Sequence, residues 1–211
     1  MNKLEIKSLL LGSVMTNCYL LMNKETSEML IVDPADQAFG IEKRVEAMEA
    51  KPVAILLTHG HFDHMLAADE LRRKYGCAIY AHIKEKAVLE DPMLNLSGVW
   101  ESGTAVSADQ YVKEGDQLEL AGFQIQVLFT PGHTQGSCCY YFPEEGVLIS
   151  GDTLFQGSCG RTDFPTSSVQ DMLKSLKRLV DELPDDTAVY PGHNAPTTIA
   201  DEKRWNPFIP R

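Results

Sequence analysis

Residues 59–64 read His-Gly-His-Phe-Asp-His and come just after the apolar run "VAILL". Neutral imidazole nitrogens and carboxylate oxygens are donors that suit a borderline divalent ion; zinc takes either at about 2.0–2.2 Å and, in catalytic sites, keeps a position open for water. His59 and His61, separated by one residue, can reach one ion from a turn. Asp63 and His64, pointing elsewhere from the start of the following helix, can serve a neighbouring ion. Asp63 has a plainer alternative as the cap of that helix.

Three further donors lie much later in the chain. His133 sits in "LFTPGHT" and His193 in "AVYPGHN", so Pro-Gly-His occurs twice, each time directly after a strand-like run. Proline fixes one dihedral and glycine permits a sharp turn, which presents each imidazole at a strand tip. Asp152 closes "VLISGD" in the same way. His133 would complete the first set and His193 the second, and Asp152, with two oxygens, could bridge them. His82, in "IYAH", has no such motif and reads as an ordinary structural histidine.

The elements that must position these residues are legible as apolar segments with punctuation. Residues 3–11, 17–22 and 28–32 read as strands, the last stopped by Asp33 and Pro34. Ile41, Val45 and Met48 mark a helix that closes before Pro52, and 53–57 is a short buried strand. A second helix is expected over 65–75, with Gly76 as its stop. Residues 91–110 lose periodicity but keep Leu94, Leu96, Val99 and Trp100, the mark of a long loop that either covers a site or packs on the domain. "DQLEL", "FQIQVLF", "SCCYYF" and "GVLIS" follow as four strands. The helix over 168–183 carries an apolar stripe from Val169 to Leu183, with Ser168 and Asp171 at capping-box spacing and Pro184 beyond. A short strand, "TAVY", and a tail ending "NPFIPR" complete the chain. Two strand-rich halves, each with helices, imply face-to-face sheets with helices outside, in a single α/β domain spanning 1–211.

Composition narrows the function. A net charge of -11 over 211 residues opposes binding to phosphate backbones or anionic lipid surfaces, so neither nucleic acid nor membrane is an expected partner. No run approaches the roughly 18 apolar residues of a membrane span. The opening "MNKLEIKSLLLGSVM" is interrupted by charges and reads as a strand, not a leader. The five cysteines form no C-x-x-C pair, which fits a reducing cytoplasm and small buried side chains; Cys159, in a Gly-rich loop, is the one to check for exposure.

"THGHFDH", "PGHT", "SGDTLF", "GSCGRTDFP" and "YPGHNAPTT" resemble the metallo-β-lactamase superfamily, in particular its glyoxalase II-like hydrolases, over nearly the whole chain. The resemblance implies a four-layer αββα sandwich of two mixed sheets with its metals at one edge. By it His59, His61 and His133 map to the first metal, Asp63, His64 and His193 to the second, and Asp152 to the bridge. Full-length glyoxalase II enzymes add a helical C-terminal domain, whereas here the chain stops soon after His193; the short single-domain type is the nearer likeness, and glutathione specificity does not follow. No cysteine stands among the ligands, unlike the β-lactam-hydrolysing enzymes that use one.

The activity implied is hydrolysis of a hydroxyacyl thioester such as S-lactoylglutathione. Two divalent ions, zinc first and iron or manganese otherwise, would acidify a bound water, and Asp63 would orient the resulting hydroxide or accept a proton. A persulfide dioxygenase with one iron on His59, His133 and Asp152 is the second reading, and a non-catalytic metal-stabilised binding module the third. Three further residues keep two readings each. Arg161 contacts a substrate carboxylate or pairs with Asp163. Asp33 supports a metal ligand or merely ends a strand. Trp100 walls a substrate pocket or packs. Lys203 and Arg204 read as solvated charges.

Overall fold

The computed structural model describes residues 3–101 and 103–210. Its first sheet runs in the order β1 (Leu4–Leu11), β2 (Thr16–Asn23), β3 (Glu28–Val32), β4 (Lys51–Leu56), β5 (Ala78–His82) and β6 (Gln110–Val112). Between these strands lie α1 (Ala38–Ala47), α2 (Phe62–Met65), α3 (Ala68–Tyr75), α4 (Lys86–Glu90) and α5 (Ser97–Trp100). Next come β7 (Gln117–Leu120), β8 (Phe123–Phe129), β9 (Cys138–Phe142), β10 (Val147–Gly151), the hairpin of β11 (Leu154–Phe155) and β12 (Ser158–Cys159), α6 (Val169–Glu182), β13 (Ala188–Pro191), β14 (Thr197–Thr198) and α7 (Ile199–Trp205). The second sheet has the order β14-β13-β10-β9-β8-β7.

The layers follow from strand side chains alternating between faces. In β2, Tyr19 and Leu21 face the second sheet while Cys18 and Leu20 face α1 and α3. In β9, Cys138, Tyr140 and Phe142 face inward while Cys139 and Tyr141 pack with Met172, Leu176 and Leu179 of α6. Both faces of the central strands are therefore covered, and strands such as β3, β9 and β10 read as nearly continuous apolar runs, as buried strands do, while the edge strands β1 and β7 stay partly exposed. The result is the α/β sandwich of two mixed sheets with helices outside.

Strand direction explains the position of the site. β3, β4, β5 and β6 are mutually parallel. In the other sheet β8 and β10 each run antiparallel to β9, and β13 runs parallel to β10, so these three point the same way. Asp33, His59, His133, Asp152 and His193 all lie just past the C-terminal ends of such strands. Cross-sheet hydrogen bonds fix the alignment: Tyr140 Oη donates to Leu57 O at 3.0 Å, Cys138 N to Thr58 O at 2.9 Å, and Tyr19 Oη to Pro191 O at 2.7 Å.

Several elements differ from the sequence expectation. The helix expected over 65–75 is two pieces, because Ala67 N bonds to Pro34 O at 3.0 Å and the chain restarts at Ala68. The separate turn α2 lets Asp63 and His64 leave the backbone independently of α3. The 91–110 loop contains the one-turn α5 and is anchored by buried Asn95, whose Nδ2 donates to Thr104 O at 2.8 Å. β5, β6, the β11–β12 hairpin, β14, α4 and α7 are not among the expected elements, although Thr198 and Asp201 have capping spacing and Asp201 N donates to Thr198 Oγ1 at 3.2 Å. The helix over 168–183 is as expected, with Asp171 N donating to Ser168 Oγ.

Candidate metal centre

The seven donors, separated by up to 134 positions in sequence, meet at that one sheet edge. Three overlapping groups have ligand atoms within 4.8 Å of one another: His59, His61 and His133; His59, His64 and Asp152; and Asp63, His64 and His193. Asp152 faces both outer groups. Its Oδ1 lies 3.4 Å from His64 Nε2, and its Oδ2 lies 3.5 Å from both His133 Nε2 and His193 Nε2. Asp63 Oδ2 lies 3.4 Å from His193 Nε2 and 3.6 Å from His64 Nε2. Two donors bound at about 2.1 Å to one tetrahedral ion stand about 3.4 Å apart, so these spacings suit shared coordination.

Hydrogen bonds behind the rings decide which nitrogen faces inward. Asp33 Oδ2 accepts from His64 Nδ1 at 2.9 Å and from Thr58 Oγ1 at 2.7 Å, and Asp33 Oδ1 accepts from Thr58 N at 2.8 Å. The Thr58 hydroxyl, its proton committed to Asp33, accepts from His59 Nδ1 at 3.1 Å. His133 Nδ1 donates to Arg161 O at 2.8 Å. These contacts direct Nε2 of His59, His64 and His133 into the cluster, the usual support for ligating histidines. His61 differs: its Nδ1 lies 2.8 Å from His133 Nε2. Buried His59 Nε2, His64 Nε2 and Asp152 Oδ1 have no hydrogen-bond partner. Buried polar atoms left without partners inside a compact His/Asp cluster are what a divalent cation would satisfy.

The electrostatics agree with that donor set. Burial, reinforced by neighbouring imidazoles, holds His59 well below the usual histidine range and brings His61 down to about 3, so both stay neutral. Burial likewise lowers His133. Burial opposes ionisation of Asp152, but His64 and the other imidazoles outweigh it and pull the carboxyl down to about 2. Asp63 is also lowered, by His64 and His193, against the same burial cost. Burial works against a charge on His64, yet Asp63, Asp152 and Asp33 raise it well above the ordinary value of 6.5. Three carboxylates thus demand a cation at or beside His64, either a proton or a metal ion.

A pH dependence follows. A raised native pKa means that the metal-free fold gains stability from the His64 proton, fully below pH 6.5, and loses it as pH rises through the native value. A metal using His64 Nε2 must displace that proton, so metal affinity is expected to rise with pH until His64 is neutral in the metal-free state. Titration calorimetry in buffers of different ionisation heat should count the released proton; pH-independent affinity with no release would contradict it.

The other residues singled out in the sequence are placed as follows. Asp33 is bonded to Thr58 and His64 and so braces the cluster. Asp63 does not cap α2; its Oδ2 accepts from Thr16 Oγ1 at 2.9 Å. Arg161 pairs with Asp163 through two hydrogen bonds of 2.9 and 2.7 Å and also lines the cavity over the cluster. Trp100 is 69% exposed and lines the same cavity. His82 stacks on Phe129, away from the cluster. Cys159 is partly exposed at the cavity and the other four cysteines are buried. Lys203 pairs with exposed Asp185.

Glu85 was missed. It is fully buried, its Oε1 accepts from Gly60 N at 3.0 Å and its Oε2 from Thr134 Oγ1 at 2.9 Å, so it ties the His59–His61 turn to the residue after His133. Burial, partly offset by these donors, pushes its carboxyl up to about 7. Nothing local in "HIKEKAVLE" marks it. Glycine matters for different reasons in the two Pro-Gly-His turns. Gly132 has φ +148° and a Cβ there would lie 2.5 Å from the Met172 backbone, whereas at Gly192 a Cβ would collide with Asp152 Oδ1 and lie 2.7 Å from His64 Cε1.

This fold, with a His/Asp cluster at the sheet edge, defines a metal-dependent hydrolase. The chain belongs to the metallo-beta-lactamase superfamily, whose family profile matches residues 11–193. It is 38% identical to the probable metallo-hydrolase YqgX of Bacillus subtilis, over 94% of each chain, and 35% identical to the hydroxyacylglutathione hydrolase GloC of Haemophilus influenzae, over 92% of each. Three solved structures are similar. The B3 metallo-beta-lactamase BLEG-1 has a TM-score of 0.92 at 39% identity, covering 97% of this chain and 99% of its own. TTHA1623 in a di-iron-bound form has 0.86 at 34%, covering 96% and 100%. ETHE1 from Myxococcus xanthus has 0.80 at 29%, covering 96% and 83%. Among the described residues no helix is long and apolar enough to cross a membrane.

Proposed function

We propose that this hydrolase cleaves hydroxyacyl thioesters of the S-lactoylglutathione kind, using two divalent ions. His59, His61 and His133 would hold one, Asp63, His64 and His193 the other, and Asp152 would face both. The observation that carries the reading is the position of Asp152, whose two oxygens lie 3.4 and 3.5 Å from donors of both outer groups. The likeness to GloC supports the thioester. Zinc is the first choice of metal, and iron is supported by the di-iron form of TTHA1623.

When bound, such ions polarise a carbonyl and bring the pKa of water from 15.7 towards about 7. Water adds to the thioester carbonyl carbon, the C–S bond breaks, and a hydroxy acid and a thiol leave. Asp63, whose Oδ2 accepts from the Thr16 hydroxyl, would orient the attacking water, take its proton and pass it to the departing thiolate. No side-chain nucleophile is required.

The test is thiol release from S-lactoylglutathione by protein loaded with zinc, iron or manganese, with His59→Ala expected to abolish it. Failure of every metal form on a thioester panel, or faster opening of a β-lactam, would defeat the proposal. The "GRTDF" stretch, which resembles persulfide dioxygenases, favours one second reading, a persulfide dioxygenase with a single iron on His59, His133 and Asp152. Metal analysis of anaerobically purified protein separates them. Two ions per chain support hydrolysis, and one iron with oxygen uptake supports the oxygenase.

A further inference from the structure

The cavity over the donor cluster has a volume of about 360 Å³. Its wall beyond the donors is dominated by Val14, Leu96, Trp100, Phe155 and Phe164, with Arg161 as the one Lys or Arg among the lining residues. The aromatic wall touches the ligand rings themselves. Phe164 makes edge contacts with His61 and His133 at centroid distances of 5.3 and 5.8 Å, and Phe155 does so with His193 at 5.9 Å. Val14 and Trp100 stand exposed at the mouth.

Arg161 is already engaged. Asp163 accepts two hydrogen bonds from its guanidinium, whose carbon lies over the Phe164 ring at 4.4 Å from its centroid. Its backbone oxygen is occupied by His133 Nδ1. A glutathione group brings two carboxylates and an ammonium into this cavity. Apart from the ions of the proposed centre, the wall offers them a single cation, already paired with Asp163, in a chain whose net charge is -11. Burying charge without partners is costly, whereas aryl or alkyl surface gains from leaving water.

We infer that the cavity selects thioesters whose thiol portion is apolar and uncharged, aryl or branched alkyl, over glutathione thioesters. This rests on the hydrolase reading above and specifies the leaving group. Trp100 and Phe164 are then specificity-determining residues, and Arg161 serves chiefly to hold Phe164 against the imidazoles.

The test keeps the lactoyl group constant and varies the thiol among benzyl mercaptan, N-acetylcysteamine and glutathione. The metal-loaded protein is expected to show kcat/KM for the benzyl thioester roughly 10-fold or more above that for the glutathione thioester, a discrimination within the range of hydrophobic pockets. Trp100→Ala should reduce that ratio several-fold, and Arg161→Ala should not reduce cleavage of the glutathione thioester relative to the benzyl one. Ketone analogues with a methylene in place of sulfur, followed by tryptophan fluorescence, report the same preference as binding. A glutathione preference in both assays, or one that Arg161→Ala removes, overturns the inference and leaves the hydrolase reading standing. Aryl-selective binding without turnover of any thioester supports the cavity's selectivity and overturns the hydrolase reading. No binding preference between benzyl and glutathione analogues overturns the inference.

Discussion

If the proposed two-ion centre is correct, Asp152→Asn is expected to lower the metal content from two ions per chain to one or none and to reduce the proposed thioester cleavage by roughly 1,000-fold or more. The estimate starts from ligand-orienting residues, whose loss costs about 10- to 100-fold; a group that faces both ions must cost more. The substitution preserves shape. It replaces an anion, held ionised down to about pH 2, by a neutral amide with one acceptor. The new NH2 faces either His64 Nε2 or the pair His133 Nε2 and His193 Nε2, where a donor repels a cation. The variant also removes one of three carboxylates that raise His64, so the His64 pKa in the metal-free protein should fall, which NMR titration reads directly. A variant that keeps two ions and turns over normally would show that Asp152 does not join the two groups.

Asp33→Ala carries the second large effect, this time on the fold. Asp33 is 1% exposed, adopts φ 48°, and accepts three hydrogen bonds, from Thr58 N, Thr58 Oγ1 and His64 Nδ1. Alanine strands these buried donors and strains the left-handed backbone. Removing one partner of such a buried charged network costs about 3–5 kcal/mol, equivalent to roughly 10 °C in Tm for a chain of this size. Asp33→Asn separates the two roles. Asparagine tolerates the left-handed region and keeps an acceptor for Thr58 N, but loses the second oxygen that orients His64. Its loss of stability should be smaller than that of the alanine variant, while metal affinity falls about 10- to 100-fold. Calorimetric melting and metal titration check both; an alanine variant melting within a degree or two of wild type would remove Asp33 as a brace.

Much of this was legible locally. The six positions from His59 to His64 announce metal chemistry by residue type alone, and the turns before His133, Asp152 and His193 place three more donors at strand tips. The helix over 168–183 was readable because period, cap and proline stop are all local signals. Leu66 and Ala67 show the limit. The apolar pattern continues across them, but a hydrogen bond to Pro34, more than thirty residues earlier, breaks the helix there.

What the sequence determined by itself was a set of donors and the strand ends that carry them. Only the tertiary structure decided that β8, β10 and β13 run in one direction and face the ends of β3 and β4, because strand pairing is set by partners far away in the chain and leaves no periodic trace. It also decided which nitrogens face inward, through Asp33, Thr58 and Arg161. Glu85, which clamps Gly60 and Thr134 from 25 and 49 positions away, is the clearest instance. A buried carboxylate looks like any surface glutamate until the fold removes its water.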